Sequence, residues 1–272
     1  PNLTIDATGA TITVDGQGTH RVFNHTSNGT FTIINMTIQN GNAGGGDGGG
    51  VRSNRNITIL NSTVTNNRAG RDGGGISGRD ITVTNSTVSD NVADDSGGVT
   101  EGQDVVVTNS FVSWFRSVCV DGGGILSRGN TTVTDSEFFD NYAALVGGAI
   151  GSFFNITVID SHMIGNLANR LDGGGLGARR NITVTNSTVV GNQANGRDGC
   201  GIVSLQRGVI LTYCRIAGNS AGGNGGGVRA FRAITVTNST IVGNRGGDGG
   251  GLHSRGNTVT LNNSLVLGND AP

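Results

Sequence analysis

Two signals recur along this chain in phase with one another, and together they restrict what it can fold into. A Gly-rich run closed by an apolar residue ends at Val51, Ile76, Val99, Ile125, Ile150, Leu176, Ile202, Val228 and Leu252. An Asn-Ser-Thr-Val element, or a near relative, begins at Asn35, Asn61, Asn85, Asn109, Asp135, Asp160, Asn186, Tyr213, Asn238 and Asn263. Spacings within the two series run from 23 to 27 residues. A fixed period of this size marks stacked repeats, each too small to bury its apolar face alone.

Between these marks the apolar residues alternate with period two. Ile57-Thr58-Ile59, Ile81-Thr82-Val83, Ile182-Thr183-Val184 and Ile234-Thr235-Val236 each read in, out, in, the signature of a short strand with one buried face. A second strand follows the Asn, with Ser62 in, Thr63 out and Val64 in, and a third surrounds the Gly-rich run. No hairpin signal recurs, so each strand must pair with its equivalent one repeat away, at ~4.8 Å along the axis. The fold class is all-β: a right-handed parallel β-helix, or β-solenoid, with three faces and about ten coils of 23–27 residues. Composition agrees. Gly supplies 50 of 272 residues but Pro only 2, which excludes collagen. No window carries a helical period, and no apolar run approaches a membrane helix. All 18 basic residues are Arg and the net charge is −1, which gives no electrostatic case for nucleic acid. Residues 1–272 read as a single solenoid domain, with 1–34 an irregular N-terminal coil and 35–272 the regular repeats. The start at Pro1 and the lack of a capping helix lead us to expect part of a longer chain or a polymer.

The columns have physical roles. Inward apolar positions stack as Ile57, Ile81, Val105, Ile156, Ile182 and onward. A small inward column (Ser62, Ser86, Ser110, Ser136, Ser161, Ser187, Cys214, Ser239, Ser264) marks a narrow part of the coil where a hydroxyl can bond the backbone. The corner Asn residues tolerate left-handed backbone, and their amides can bond from coil to coil. A second Asn ladder is expected at Asn67, Asn91, Asn141, Asn166, Asn192, Asn219, Asn244 and Asn269.

One coil carries Phe138-Phe139-Asp140-Asn141 followed by Gly147-Gly148-Ala149-Ile150. These match the paired F-x-x-N and G-G-A-[ILV] motifs, and the chain resembles the parallel β-helix repeats of bacterial surface proteins of the polymorphic outer-membrane and adhesin type, with a pectin-lyase-like fold. Other coils carry relaxed versions, such as Val64-Thr65-Asn66-Asn67 with Gly73-Gly74-Gly75-Ile76. The resemblance implies a fold shared by adhesins, passenger domains, lyases and ice-binding proteins.

Candidate sites follow from the outward positions. Asp47, Asp72, Asp121, Asp172, Asp198 and Asp248 precede the Gly run. They are read as turn residues accepting their own backbone N–H groups, with Ca²⁺ as the alternative ligand and no other cofactor expected. An Arg column at Arg55, Arg79, Arg180, Arg207 and Arg232 either pairs with that acidic corner, faces solvent or meets acidic glycans. Asp135 and Asp160 replace ladder Asn in adjacent coils, ~5 Å apart along the axis, and are the one catalytic pair worth naming; that spacing would suit a retaining glycosidase. Glu137, Asp140 and His162 lie near them in register. Outward Thr82/Thr84, Thr132/Thr134, Thr183/Thr185 and Thr235/Thr237 suggest an ice- or carbohydrate-binding array, interrupted at Val106 and Ile210. Among the sequons, Asn56, Asn155 and Asn181 are the glycosylation candidates. On the outward side of the second strand, Thr65, Ser89 and Ser113 give way to Phe139, Ile164, Val190, Ala217, Val242 and Leu267. This contiguous apolar ridge is an interface signal, with Phe111, Trp114, Phe115 and Tyr142 near its start. Cys200 and Cys214 are a disulfide candidate within one coil.

The sequence therefore favours a non-enzymatic extracellular or cell-surface rod, structural or adhesive. Self-association, end to end or lateral, and N-glycosylation are expected, and surface glycans are candidate ligands. No membrane insertion is expected in this segment. The alternatives are a polysaccharide-active lyase or glycosidase and an ice- or carbohydrate-binding solenoid.

Overall fold

A computed structural model of the chain describes residues 1–118, 121–196, 198–256 and 258–271. Among these there is no helix; parallel sheets stack as a β-solenoid of about ten turns. The first face has 11 strands, from Leu3–Asp6 through Ile57–Leu60 to Val259–Asn262. The second face also has 11, from Ile12–Asp15 through Thr63–Thr65 to Leu265–Leu267. The third has 10, from Phe23–His25 through Ile76–Ser77 to Leu252–Ser254. Register is kept from coil to coil: Ile81 sits over Ile57, Thr82 over Thr58 and Val83 over Ile59. The N-terminal segment 1–34, expected to be irregular, already supplies a strand to every face, with Leu3 paired to Phe31, Ile12 to Met36 and Phe23 to Val51. A fourth ribbon, of two-residue strands from Arg68–Ala69 to Ser220–Ala221, lies between the second and third faces. Three strands per coil were foreseen; the fourth was not.

The interior is held by columns of identical bonds. Ser62 Oγ donates to the Leu60 carbonyl at 2.7 Å and accepts from the backbone N–H of Met36 at 3.2 Å. Ser86, Ser110 and Ser136 repeat this arrangement. A short polar side chain therefore bonds two backbone groups at a bend, where the carbonyl also accepts a backbone N–H of the preceding coil. The second Asn ladder is buried from Asn67 to Asn244 and half-buried at Asn269. Asn141 Nδ2 donates to Asn166 Oδ1 at 2.9 Å, Asn166 to Asn192 at 3.0 Å, Asn192 to Asn219 at 2.9 Å and Asn219 to Asn244 at 2.9 Å. Each Oδ1 also accepts a backbone N–H of the preceding coil. The left-handed backbone is found in the first Asn column, with φ of 48° at Asn61 and 49° at Asn85. At the second corner it falls on the residue before the ladder Asn: Asn66, Asp90, Trp114, Asp140 and then Gly165, Gly191, Gly218, Gly243 and Gly268.

One coil breaks the inner ladder. Phe115 stands where the other coils have Asn, and its ring is buried. Phe115 therefore belongs to the core and not to the surface aromatic cluster that the sequence suggested. The facing Gly98 makes room for it, since a Cβ there would lie 1.6 Å from Phe115 Cδ1.

Candidate functional site

The acidic column does not work as expected. Asp72 Oδ1 accepts the backbone N–H of Ser96 at 3.1 Å, Asp121 that of Val146 at 3.0 Å, Asp172 that of Asp198 at 2.8 Å and Asp198 that of Asn224 at 2.8 Å. Each carboxylate thus clips the next coil and not its own turn. Asp248 donates its N–H to Asn224 Oδ1 at 3.0 Å, so Asn224 continues the column. Asp198 also pairs with Arg229 at 3.2 Å, and Asp47 lies 3.8 Å from Arg71 and 3.9 Å from Arg52. Burial pushes the Asp72 and Asp121 carboxyls above the ordinary range; Asp95 and Asp47 add to this at Asp72, and Arg179 opposes it at Asp121. Among the described residues no group of three His, Cys, Asp or Glu is placed to hold a metal ion.

Asp135 and Asp160 both occupy the left-handed corner, with φ of 48° and 49°, and both are exposed. Asn186 Nδ2 donates to Asp160 Oδ1 at 2.5 Å, so Asp160 works as a rung of the outer ladder. Asp135 lines a shallow groove with Glu137, Asn85 and Asn109; Asp160 does not line it. His162 sits one strand from Glu137 in register.

At the other corner, where the third face runs into the first, the chain builds a feature that the sequence reading only half saw. Arg180, Arg207 and Arg232 stand there, exposed and turned away from the acidic column. Arg179 lies 4.1 Å over the Phe153 ring, and Arg180 lies 4.5 Å over Phe154. Arg255 lies 5.6 Å over Phe231. In each pair the ring and the guanidinium hold equivalent positions one coil apart. Stacking fixes the guanidinium plane while leaving N–H donors for a ligand. Two open grooves flank Arg180, while a third, beside Arg179 and Phe153, is also lined by Asp121. One, of about 540 Å³, is lined by Arg128, Phe153, Phe154, Arg179, Arg180 and Gln206. The other, of about 450 Å³, is lined by Arg180, Arg207 and Arg232 with Asn155, Asn181 and Ile210. No Asp or Glu is among these lining residues.

The apolar ridge is present on the outer side of the second face. Phe139 pairs in register with Ile164, Ile164 with Val190, Val190 with Ala217, Ala217 with Val242 and Val242 with Leu267. Ala217 is covered by its neighbours, whereas Leu267 is 61% exposed. Trp114, at 56% exposure, meets Phe139 edge to face with ring centroids 6.0 Å apart. On the first face, Val106 and Ile210 stand exposed between the Thr residues and interrupt that array.

The remaining candidates separate. Asn155 Nδ2 is engaged, donating to Asn130 Oδ1 at 2.9 Å; Asn56 is half-buried and Asn181 is exposed. The candidate Cys200–Cys214 bridge is not formed: both are free buried thiols. They lie in different clusters, Cys200 with Ala168 and Ala194, Cys214 in the main core with Val184 and Leu211. Burial pushes the Cys200 thiol up to about 12, and raises Cys214 as well. Cys119 and Arg197 lie outside the described residues. No helix among the described residues is long and apolar enough to cross a membrane. In comparisons with known proteins the chain matches no family model, no curated protein and no solved structure. The likeness to outer-membrane and adhesin repeats therefore rests on the motifs alone.

Proposed function

We propose that this chain is a non-catalytic adhesive rod, acting outside the cell, which holds acidic glycans along the corner between its third and first faces. The observation that carries this reading is the Arg180-on-Phe154 stack, with Arg207 and Arg232 beyond it, bordering open grooves without acidic lining. A guanidinium fork matches a carboxylate or sulfate in two parallel hydrogen bonds. An exposed ring beside it covers the apolar face of a sugar. Arg180, Arg207 and Arg232 stand in successive coils at ~4.8 Å, close to the advance of one sugar in an extended chain. The non-catalytic part of the reading is supported by the placement of Asp160 in a hydrogen-bonded ladder.

The test is titration of polyuronate and sulfated oligosaccharides, with product analysis of the same mixtures. Binding that weakens about tenfold in Arg180→Ala and in Phe154→Ala, and falls with added salt, is expected, each change removing a contact worth about 1–2 kcal/mol. Unchanged affinity in both variants would remove the corner from the function. Shortened oligosaccharides would overturn the non-catalytic reading, and their loss in an Asp135→Asn/Asp160→Asn variant would locate the chemistry.

A further inference from the structure

The outer side of the second face is lopsided in a way that suits a second copy of itself. Its middle strands carry bulk: Trp114 follows Phe111–Ser113, and Phe139 closes Glu137–Phe139. Three coils on, Ala217 closes Arg215–Ala217, and the corner residues Gly218 and Gly243 have nothing within 4 Å of where a Cβ would stand, although Val242 and Leu267 keep the outward column apolar. The charges are lopsided too. Glu137 is exposed on the bulky side and Arg215 on the small side, and neither side chain has a partner among the described residues. Strand order places them three coils apart, ~14 Å along the axis and beyond each other's reach within one chain.

We propose that two copies pack second face to second face, with their axes antiparallel about a two-fold lying between the strands His162–Ile164 and Thr188–Val190. A two-fold along the strand direction keeps each outward column facing its own column in the partner and reverses only the coil order. Ile164 then meets Val190, Phe139 meets Ala217, Trp114 meets Gly243 and Glu137 meets Arg215, each contact made twice. At Phe139, Trp114 and Glu137 large meets small and acid meets base from one operation with no adjustable register, while Ser113 faces Val242. Parallel axes would instead set each coil against its own equivalent and leave Glu137 and Arg215 three coils apart and unpaired. Six strands give a patch of about 30 Å by 15 Å, or ~900 Å² in total from both copies, in the range of weak, transient association.

Sedimentation velocity on the full chain tests this, run from about 1 to 500 µM to bracket a weak dimer. A monomer–dimer equilibrium is expected. Glu137→Arg alone and Arg215→Glu alone should each weaken it at least about tenfold, because two like-charge contacts replace two ion pairs. Mixing the two variants should restore dimerisation, as a heterodimer in which Arg meets Glu at both sites, and the double variant should dimerise by itself. Both residues are exposed, so unchanged circular dichroism will show that the fold is intact. A wild-type chain monomeric across the range would overturn the proposal. So would single variants that associate like wild type, or a mixture that does not recover.

Discussion

Asn192 lies in the middle of the inner ladder and is fully buried. Its Oδ1 accepts from the backbone N–H of Asn166 at 2.9 Å and from Asn166 Nδ2 at 3.0 Å. Its Nδ2 donates to the Met163 carbonyl at 3.0 Å and to Asn219 Oδ1 at 2.9 Å. Asn192→Asp keeps the shape and the acceptor but turns the donor into an oxygen aimed at two acceptors. Only the protonated carboxyl fits, and it remakes one of the two donated bonds. The folded state therefore raises the introduced group's pKa, so its stability is kept below the unfolded value and lost as pH rises above it. From an unfolded pKa near 3.9, holding the proton costs about 4 kcal/mol at pH 7 but only ~0.5 kcal/mol at pH 4. The missing second bond adds ~1–3 kcal/mol at both. The assay is urea unfolding of variant and wild type from pH 4 to 7, with amide exchange over residues 188–194 as the local readout. The difference in stability should grow by about 1.4 kcal/mol per pH unit above pH 4. Asn85→Asp, in the exposed outer ladder between Asn61 and Asn109, is the control and should show little of this. An Asn192→Asp penalty equal at pH 4 and pH 7 would refute the reasoning.

Gly98→Ala should destabilise by ~3 kcal/mol or more, since its Cβ would strike the Phe115 ring; urea midpoints check this, and adding Phe115→Asn should recover part of the loss. Asp121→Asn keeps the acceptor for the Val146 N–H while removing a buried charge. It should raise stability at pH 7 by on the order of 1 kcal/mol, and thermal melts should show the gain vanishing as pH falls toward the ordinary carboxylate value, where the native carboxyl is protonated in both states. Cys200 and Cys214 should resist alkylation in the native chain about 100-fold or more relative to the unfolded chain; rapid native labelling, or the mass deficit of a disulfide between them, would contradict the structure.

The coil was legible because its code is short and local. Alternation over Ile57-Thr58-Ile59 fixes a buried face, and a single residue type at Ser62 or Asn67 recurs in coil after coil. Most of what escaped at the outward positions depends on neighbours about 25 residues apart. Asp172 reads as a turn residue within its own coil, but its partner is the N–H of Asp198. Phe153 and Phe154 fall in a corner without pattern, and only alignment by coil sets them under Arg179 and Arg180. That alignment was the signal available for the corner site. Phe115 had no such signal, because an aromatic beside Trp114 reads as part of a surface patch until Gly98 is seen facing it. The two-residue ribbon at Arg68–Ala69 is too short to alternate, so no periodicity could announce it.

The interior ladders satisfy the backbone coil by coil, so the outward residues are free to vary, and they vary in two places that do not overlap. Each coil runs from the first face to the second, through the ribbon to the third, and back by the Arg–Phe corner. In a three-faced coil that corner lies opposite the second face. A dimer joined through the second face would therefore leave both corners open, pointing away from each other. Such a dimer cannot clamp one glycan from two sides; it must bridge two chains. Wild type should then crosslink an acidic polysaccharide, raising its scattering near equimolar sites and clearing again in excess protein. Glu137→Arg should bind the same polysaccharide but fail to crosslink it. Crosslinking by Glu137→Arg equal to wild type would separate the two surfaces and leave the dimer without a part in adhesion.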